Sequence, residues 1–164
     1  MKQGKYKNGK KDGKWIRMIG TVCRVENNYK DGKLDGEERS YVDGELDSIT
    51  PYSNGKIHGL CIENIRSENW GKKYSYKNGK LDGKCTWLKD GKVVYERNYK
   101  DGKLDGKTMI DNDHGSYEGN YNNGKIVGEW IMYDKVNNVS ESVEHKYINT
   151  LFKLNDNNDG TLPF

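Results

Sequence analysis

Six copies of one short phrase fill most of this 164-residue chain, and the clearest reads YKNGKLDGKCTWLKDGKVVYERN, from Tyr76 to Asn98. The copies open at Tyr6, Tyr29, Tyr52, Tyr76, Tyr99 and Tyr121, with successive spacings of 23, 23, 24, 23 and 22 residues. A period in this range means an array of similar supersecondary units, each supported by its neighbours. Two residues after its tyrosine, every copy carries an Asn-Gly or Asp-Gly pair, from Asn8-Gly9 to Asn123-Gly124. Such pairs suit two-residue type I′ hairpins, in which both central residues need φ > 0. A second turn signal follows about a dozen residues later, clearest in Asp43-Gly44 and Asp90-Gly91. Two strands per unit, each of roughly eight to ten residues, predict about a dozen strands. The expected fold is mainly all-β: a single-layer, elongated antiparallel meander of about six 23-residue hairpin repeats over residues 1–135, with a C-terminal cap over 136–164.

The apolar fraction of 32% and mean hydropathy of -1.09 are low for a two-layer core. Charged residues make up 32%, yet 20 glycines and 12 tyrosines on a strict period argue against a disordered chain. Net charge is +3 with Lys and Asp interleaved, a mixed surface more than a concentrated positive field. Cys23, Cys61 and Cys85 show no C-x-x-C spacing and fall on predicted strands, so they read as free thiols in a reducing compartment. MKQGKYKNGK lacks an apolar signal-peptide core, and no run approaches the roughly 18 apolar residues of a membrane span. The expected location is the cytoplasm.

Register follows from the first turn. With Asn78-Gly79 at the tip, Lys77 faces Lys80, Tyr76 faces Leu81, Ser75 faces Asp82 and Tyr74 faces Gly83. Alternation puts Tyr76, Leu81 and Gly83 on one side and Lys80 and Asp82 on the other. The same pair recurs as Tyr29–Leu34, Tyr52–Ile57, Tyr99–Leu104 and Tyr121–Ile126, while Lys11 stands opposite Tyr6 in the first unit. The second glycine of each unit (Gly13, Gly36, Gly59, Gly83, Gly106, Gly128) is expected to leave a gap in which a neighbouring aromatic ring lies flat. No helix pattern follows these glycines, so they form no phosphate loop. The opposite face carries Lys10, Lys33, Lys56, Lys80, Lys103 and Lys125, with Asp12, Asp35, Asp82 and Asp105 two positions on. That is a candidate ladder for polyanions, but the carboxylates cancel much of its field and favour a solvated surface.

After Tyr133 the period fails. Ser140 to Leu154 places Val143, Tyr147, Ile148, Leu151 and Leu154 mostly on one face of a helix, with Asn138 and Glu141 as a variant capping box. This segment is the candidate end cap of the array, and a strand over Tyr147 to Leu154 is the alternative.

The units carry Y-x-N/D-G-K-x-x-G in all six copies, with a trailing K-D-G-K at Lys89 to Lys92. In this they resemble the MORN-type repeat, in the bacterial variant found in antitoxin components of toxin–antitoxin systems. The resemblance covers about residues 4 to 135. It implies an elongated antiparallel sheet, a role in protein–protein contact and, for related repeats, binding to acidic lipids. The antitoxin label implies a neutralised protein partner. The second halves of several units depart from the pattern, as in Ile62 to Ser75 and Met109 to Asn120, and no antitoxin contact residue carries over.

The departures cluster. The Asn-Gly edge is nearly uniform, whereas the other edge differs in most copies: Met18-Ile19-Gly20, Val42-Asp43-Gly44, Arg66 to Trp70, Asp90-Gly91, Asn112 to Gly115, and Tyr133-Asp134-Lys135. Uniform positions serve the shared fold, and idiosyncratic ones are free to serve a partner or simply to drift as loops do. Arg66, Trp70, Asp113 and His114 are the candidate partner-binding residues, two of them of types favoured as interface anchors.

Catalysis is not expected. His58, His114 and His145 form no metal-ligand spacing with the cysteines, and His58 takes a position that is Asp in four other units, which points it to solvent. Asn155 to Gly160 resembles the opening of a calcium loop, but the Glu needed at its twelfth position is missing. No nucleophile elbow or Walker motif occurs, and no cofactor is implied. The expected function is a non-catalytic module that occludes a protein partner, such as a toxin or a host enzyme, a nuclease among them. It is the role of an antitoxin, an immunity protein or a phage inhibitor. The alternatives are a polyanion binder (acidic lipid or RNA) using the lysine face, and a scaffold growing by end-to-end sheet addition, opposed by Lys2, Lys5 and Lys7 on the first strand.

Overall fold

The computed structural model describes residues 2–148 apart from Glu68 and His114. Eight two-residue turns have φ of 49–53° at Asn or Asp and 71–87° at the following Gly, the doubly left-handed geometry of a type I′ hairpin. They join β1 (Lys2–Lys7), β2 (Lys10–Ile19), β3 (Cys23–Lys30), β4 (Lys33–Leu34), β5 (Gly36–Val42), β6 (Glu45–Ser53), β7 (Lys56–Ile57) and β8 (Gly59–Glu63). There follow β9 (Trp70–Lys77), β10 (Lys80–Lys89), β11 (Lys92–Lys100), β12 (Lys103–Asp111), β13 (Gly115–Asn122), β14 (Lys125–Asp134) and β15 (Val139–Ser142). All fifteen lie in one open antiparallel sheet in meander order. The excess over a dozen is small in origin: β4 and β7 are broken from β5 and β8 by one residue each, and β15 extends the array.

The tyrosine pairs form as read, with Tyr76 opposite Leu81, Tyr29 opposite Leu34, Tyr52 opposite Ile57, Tyr99 opposite Leu104 and Tyr121 opposite Ile126. Beyond them the register departs from expectation. Tyr74 pairs with Cys85, not Gly83, because Asp82, Gly83 and Lys84 together stand against Ser75. Gly83 sits at φ +101° in this bulge and pairs with Tyr99 of the next hairpin. Two extra residues leave the parity intact, so the faces keep their assignment while the strand bends. A Cβ at Gly83 would lie 3.1 Å from the Ser75 Cβ, and one at Gly59 would lie 3.0 Å from the Pro51 Cγ. Small neighbours, not rings, therefore close on these glycines. Rings lie instead on Gly4 and Gly119, where a Cβ would fall 2.2 Å from Trp15 Cδ2 and from Trp130 Cδ2.

The bulge also explains the recurring aspartate. Asp82 Oδ2 accepts a hydrogen bond from the backbone N–H of Asp101, the first left-handed residue of the next turn, at 3.1 Å. Asp35 and Asp105 do the same for Asn54 and Asn123 at 3.0 Å, and Asp12 for Asp31 at 3.5 Å. On this edge the turn glycine of every unit after the first adds a backbone bond to the preceding unit, as in Gly102 N–H to the Leu81 carbonyl at 2.8 Å. These carboxylates are stitches between units more than counterions of a solvated ladder. His58, in one of the two units that lack the aspartate (Val127 holds the place in the other), reaches the Asn78 amide with Nδ1 at 3.2 Å instead of pointing only to solvent.

The core is unevenly placed. Tyr95, Ile110, Tyr121, Trp130 and Ile148 are buried together, with Trp87, Leu104, Tyr117, Ile126 and Val143 packed against them. All belong to the C-terminal half of the array. A single row on the tyrosine face runs Cys61–Tyr74–Cys85–Arg97–Thr108, small side chains flanking large ones, which lets one layer of sheet pack without a second.

The cap differs in detail from the expected helix. Val139–Ser142 pairs with β14 as a strand, and the Val143 N–H continues the ladder to the Trp130 carbonyl at 2.8 Å. Asn138 lies in the preceding turn at φ +56° with its side chain on the Tyr133 hydroxyl, so the capping box with Glu141 does not form. A short helix, α1, occupies residues 145–148. It turns Ile148 inward and leaves Tyr147 60% exposed. Edge pairing with β14 satisfies backbone groups that a helix over 140–144 would leave open on the sheet. Leu151, Leu154 and the tail lie outside the described residues, as does the alternative strand apart from Tyr147 and Ile148, which are helical.

Candidate functional site

Along the variable edge the hairpin ends differ in size and chemistry. The β2–β3, β5–β6 and β10–β11 ends are short, whereas residues 64–69 form a longer loop between β8 and β9. Asn64 at φ +58° starts it, the Ser67 N–H returns to the Asn64 carbonyl at 3.1 Å, and Ser67 Oγ accepts from the Trp70 N–H at 2.9 Å. The Ile65 N–H binds the Asp47 carbonyl at 2.9 Å, tying the loop to the preceding hairpin.

Arg66 stands on this loop with its side chain 29% exposed. Its Nε lies 3.3 Å from Glu45 Oε2 and a terminal nitrogen lies 3.6 Å from Asp43 Oδ2, so the guanidinium clamps the loop onto the β5–β6 turn. Trp70 begins β9 opposite Lys89, whose ammonium lies 5.7 Å from the ring centroid. Ile62, Ile65, Trp70 and Leu88 line a shallow groove of about 260 Å3. The structure thus brings Arg66 and Trp70 into one loop. Asp113 is exposed in the β12–β13 end, two hairpin ends away, beyond the Asp90-Gly91 turn. That end is pinned by the Gly115 N–H to Asn112 Oδ1 at 3.0 Å and by Lys135, which binds the Asn112 carbonyl at 2.7 Å and Asp111 at 2.6 Å. His114 lies outside the described residues. Arg66, Trp70 and Asp113 are therefore spread along an edge and do not converge on a point.

On the opposite face, lysines fall into two groups that composition does not separate. Lys14, Lys84 and Lys107 occupy the same place in three units, and each bridges a glutamate on the next strand: Glu26 at 2.8 Å, Glu96 at 2.9 Å and Glu118 at 2.8 Å. The lysines that flank the uniform turns stand directly opposite one another as Lys7–Lys10, Lys30–Lys33, Lys77–Lys80 and Lys100–Lys103. Among the described residues none of these eight forms an ion pair. Like charges placed opposite each other weaken a hairpin.

The tyrosine face carries stacked cations and rings that the repeat pattern alone did not reveal. Lys72 sits 4.8 Å from the Trp87 centroid, Trp87 packs on Tyr95 at 4.8 Å, and the Arg97 guanidinium lies 5.0 Å from Tyr95. Their shared face was legible from alternation, but their contact depends on the bulge that shifts one strand against the next. Burial pushes the Cys61 thiol up to about 11 and raises Cys85 as well, which keeps both protonated and poorly nucleophilic at neutral pH. Burial also raises the Tyr74 phenol between them. Among the described residues, no His, Cys, Asp and Glu side chains gather as a metal site, and no helix is long and apolar enough to cross a membrane. No protein-family model matches the chain, and no curated protein matches it.

Proposed function

We propose that the protein is a non-catalytic binding module that occludes a protein partner with its variable edge. The observation that supports this reading is the contrast between the two edges. The uniform edge uses its repeated pattern of Asp, Asn and Gly for unit-to-unit stitching. The other edge presents ends that differ in most units, one of them opening beside Trp70 into an apolar groove, with Arg66 clamped in the same loop. An aromatic ring and a guanidinium at a groove are the side chains that anchor protein interfaces most often. The partner is a protein whose active site or channel is blocked by a rigid extended surface, as for a toxin or a host nuclease, and the setting is cytoplasmic.

The test is an affinity pull-down from native lysate, with nuclease and about 0.5 M salt, where the Debye length is roughly 4 Å. It is run beside the Trp70→Ala and Asp113→Ala variants. One stoichiometric protein held by the parent and lost by a variant supports the reading. Equal capture by all three proteins removes the edge from it.

A second reading has its own observation. The opposed lysines of the uniform edge carry like charge at a cost to the hairpins, which fits a polyanion that neutralises them. Recovery of only nuclease- or lipid-dependent material, with affinity falling steeply with salt, favours it.

A further inference from the structure

The two ends of the array carry the same aromatic corner. At the C-terminal end Trp130 lies on Gly119 and meets Tyr121 edge to face at 5.5 Å and 86°. At the N-terminal end Trp15 lies on Gly4 and meets Tyr6 edge to face at 5.0 Å and 87°. The tryptophan stands nine residues after the tyrosine in both, and the glycine two before it. No intervening unit combines the three residues: Glu38, Cys61, Cys85 and Thr108 hold the tryptophan position.

The corners differ in what covers them. The chain's own Val143 and Ile148 close the C-terminal corner, and Trp130 is 0% exposed. Among the described residues nothing closes the N-terminal corner: Tyr6 is 66% exposed, and a cavity of about 280 Å3 lies among Tyr6, Lys11, Trp15, Arg17, Tyr29 and Glu38, whose carboxylate is taken up by the Asn27 amide. Ten strand spacings of about 4.8 Å separate β2 from β14, roughly 50 Å, so Val143 and Ile148, which close the Trp130 corner, lie far from Trp15. Two wall positions have also changed. Where the C-terminal corner has Ile126 and Met132, the N-terminal one has Lys11 and Arg17 at the equivalent places. The Lys11 ammonium lies 4.7 Å from both the Trp15 and Tyr29 centroids, over the mouth of the cavity.

We propose that the N-terminal corner is a docking socket for a partner protein's segment that presents an aliphatic side chain beside a carboxylate. The aliphatic group takes the place that Ile148 takes at the other end, and the carboxylate meets Lys11 and Arg17. Internal precedent supplies the first half of this recognition and charge complementarity the second. The socket lies on the tyrosine face at the first hairpin, apart from the variable edge, and stands or falls without it.

The probe is a synthetic peptide of residues 139–148, VSESVEHKYI, together with its Lys146→Glu and Ile148→Asn forms, titrated into the full chain. The readout is the indole N–H resonance of Trp15, whose Nε1 donates to the Lys5 carbonyl at 3.2 Å. Saturable movement of this resonance is expected, about fivefold tighter for the Lys146→Glu peptide and absent for Ile148→Asn. Lys11→Glu in the protein, with the Trp15 indole resonance of the free variant checking that the corner stays folded, reverses the preference between the two charged forms. The proposal is overturned if no peptide moves Trp15 up to about 1 mM, if only Trp130 responds, or if charge on neither side matters. It is also overturned if Trp15 shifts with protein concentration alone, because a second copy then fills the socket.

Discussion

The two ends of this sheet begin from the same corner of glycine, tyrosine and tryptophan and stabilise it in different ways. At the C-terminal end the corner is roofed by Ile148 and Val143 and joins the buried cluster of Tyr95, Ile110 and Tyr121. At the N-terminal end it is held by Lys11 above the rings and, on the other face, by Glu26 with Lys14 and Arg24. A one-layer sheet buries apolar area well only where something folds back on it. Where nothing does, contacts at the sheet surface share the task, each small and open to solvent.

The most direct way to break the comparison is to remove each tryptophan. Trp130→Ala leaves a cavity under a buried ring, and a loss of about 3–5 kcal/mol is expected. Trp15→Ala removes a half-exposed ring and its aromatic partners and is expected to cost about 1 kcal/mol. Urea unfolding of the two variants measures the difference, and equal losses would end the claim that the ends differ in kind.

Overfilling the corners comes next. Gly119→Ala drives a methyl into the Trp130 ring, which has nowhere to go, with an expected cost of about 1–3 kcal/mol. Gly4→Ala makes the same clash, but Trp15 has open space to move into, so a smaller fall in Tm is expected.

The stitches between units recur along the array, at 3.5 Å from Asp12 and 3.0–3.1 Å from Asp35, Asp82 and Asp105. Asp82→Ala removes the bond to the Asp101 N–H and should cost about 0.5–1.5 kcal/mol by denaturant titration. The converse substitution sharpens the point: His58→Asp supplies the missing stitch to the Asn78 turn and is expected to stabilise by up to about 1 kcal/mol.

The smallest effect is a pH dependence confined to the N-terminal half. The hydrogen bond from Lys14, with the charges of Lys14 and Arg24, holds the Glu26 carboxyl below its usual value despite partial burial. A carboxyl lowered on folding contributes stability above its unfolded value near 4.5, and this is lost as pH falls through the lower folded value. The stability gap between the parent and Glu26→Gln should be constant above about pH 5.5 and close below pH 4.5. A gap that persists unchanged at pH 3 would show that the charge is not its source.

How much of this was legible depends on how local the signal is. Asn-Gly and Asp-Gly pairs declare their turns because few other residues take φ > 0 twice in succession, and the Tyr–Leu pairing follows within five residues of each turn. The bulge at Gly83 was not legible, because alternation carries no mark of an inserted pair when parity is unchanged. The cap was misread as helix through residues 140–144 because local apolar spacing says nothing of the open β14 edge waiting to be paired. Arg66 and Trp70 were picked out by their departure from the repeat, but the engagement of Arg66 by Asp43 and Glu45 depends on a neighbouring hairpin that spacing does not place.

By itself the sequence determined the repeat, the type of turn, the meander and the face on which each tyrosine lies, since all of these follow from φ preferences and a period of two. Only the tertiary structure decided which lysines are neutralised by glutamates, which aspartates join one unit to the next, and which of two corners with the same glycine, tyrosine and tryptophan is closed by residues 143–148. Those outcomes depend on distances between residues about ten to twenty positions apart, set by bulges and by residues 143–148, which fold back on one corner.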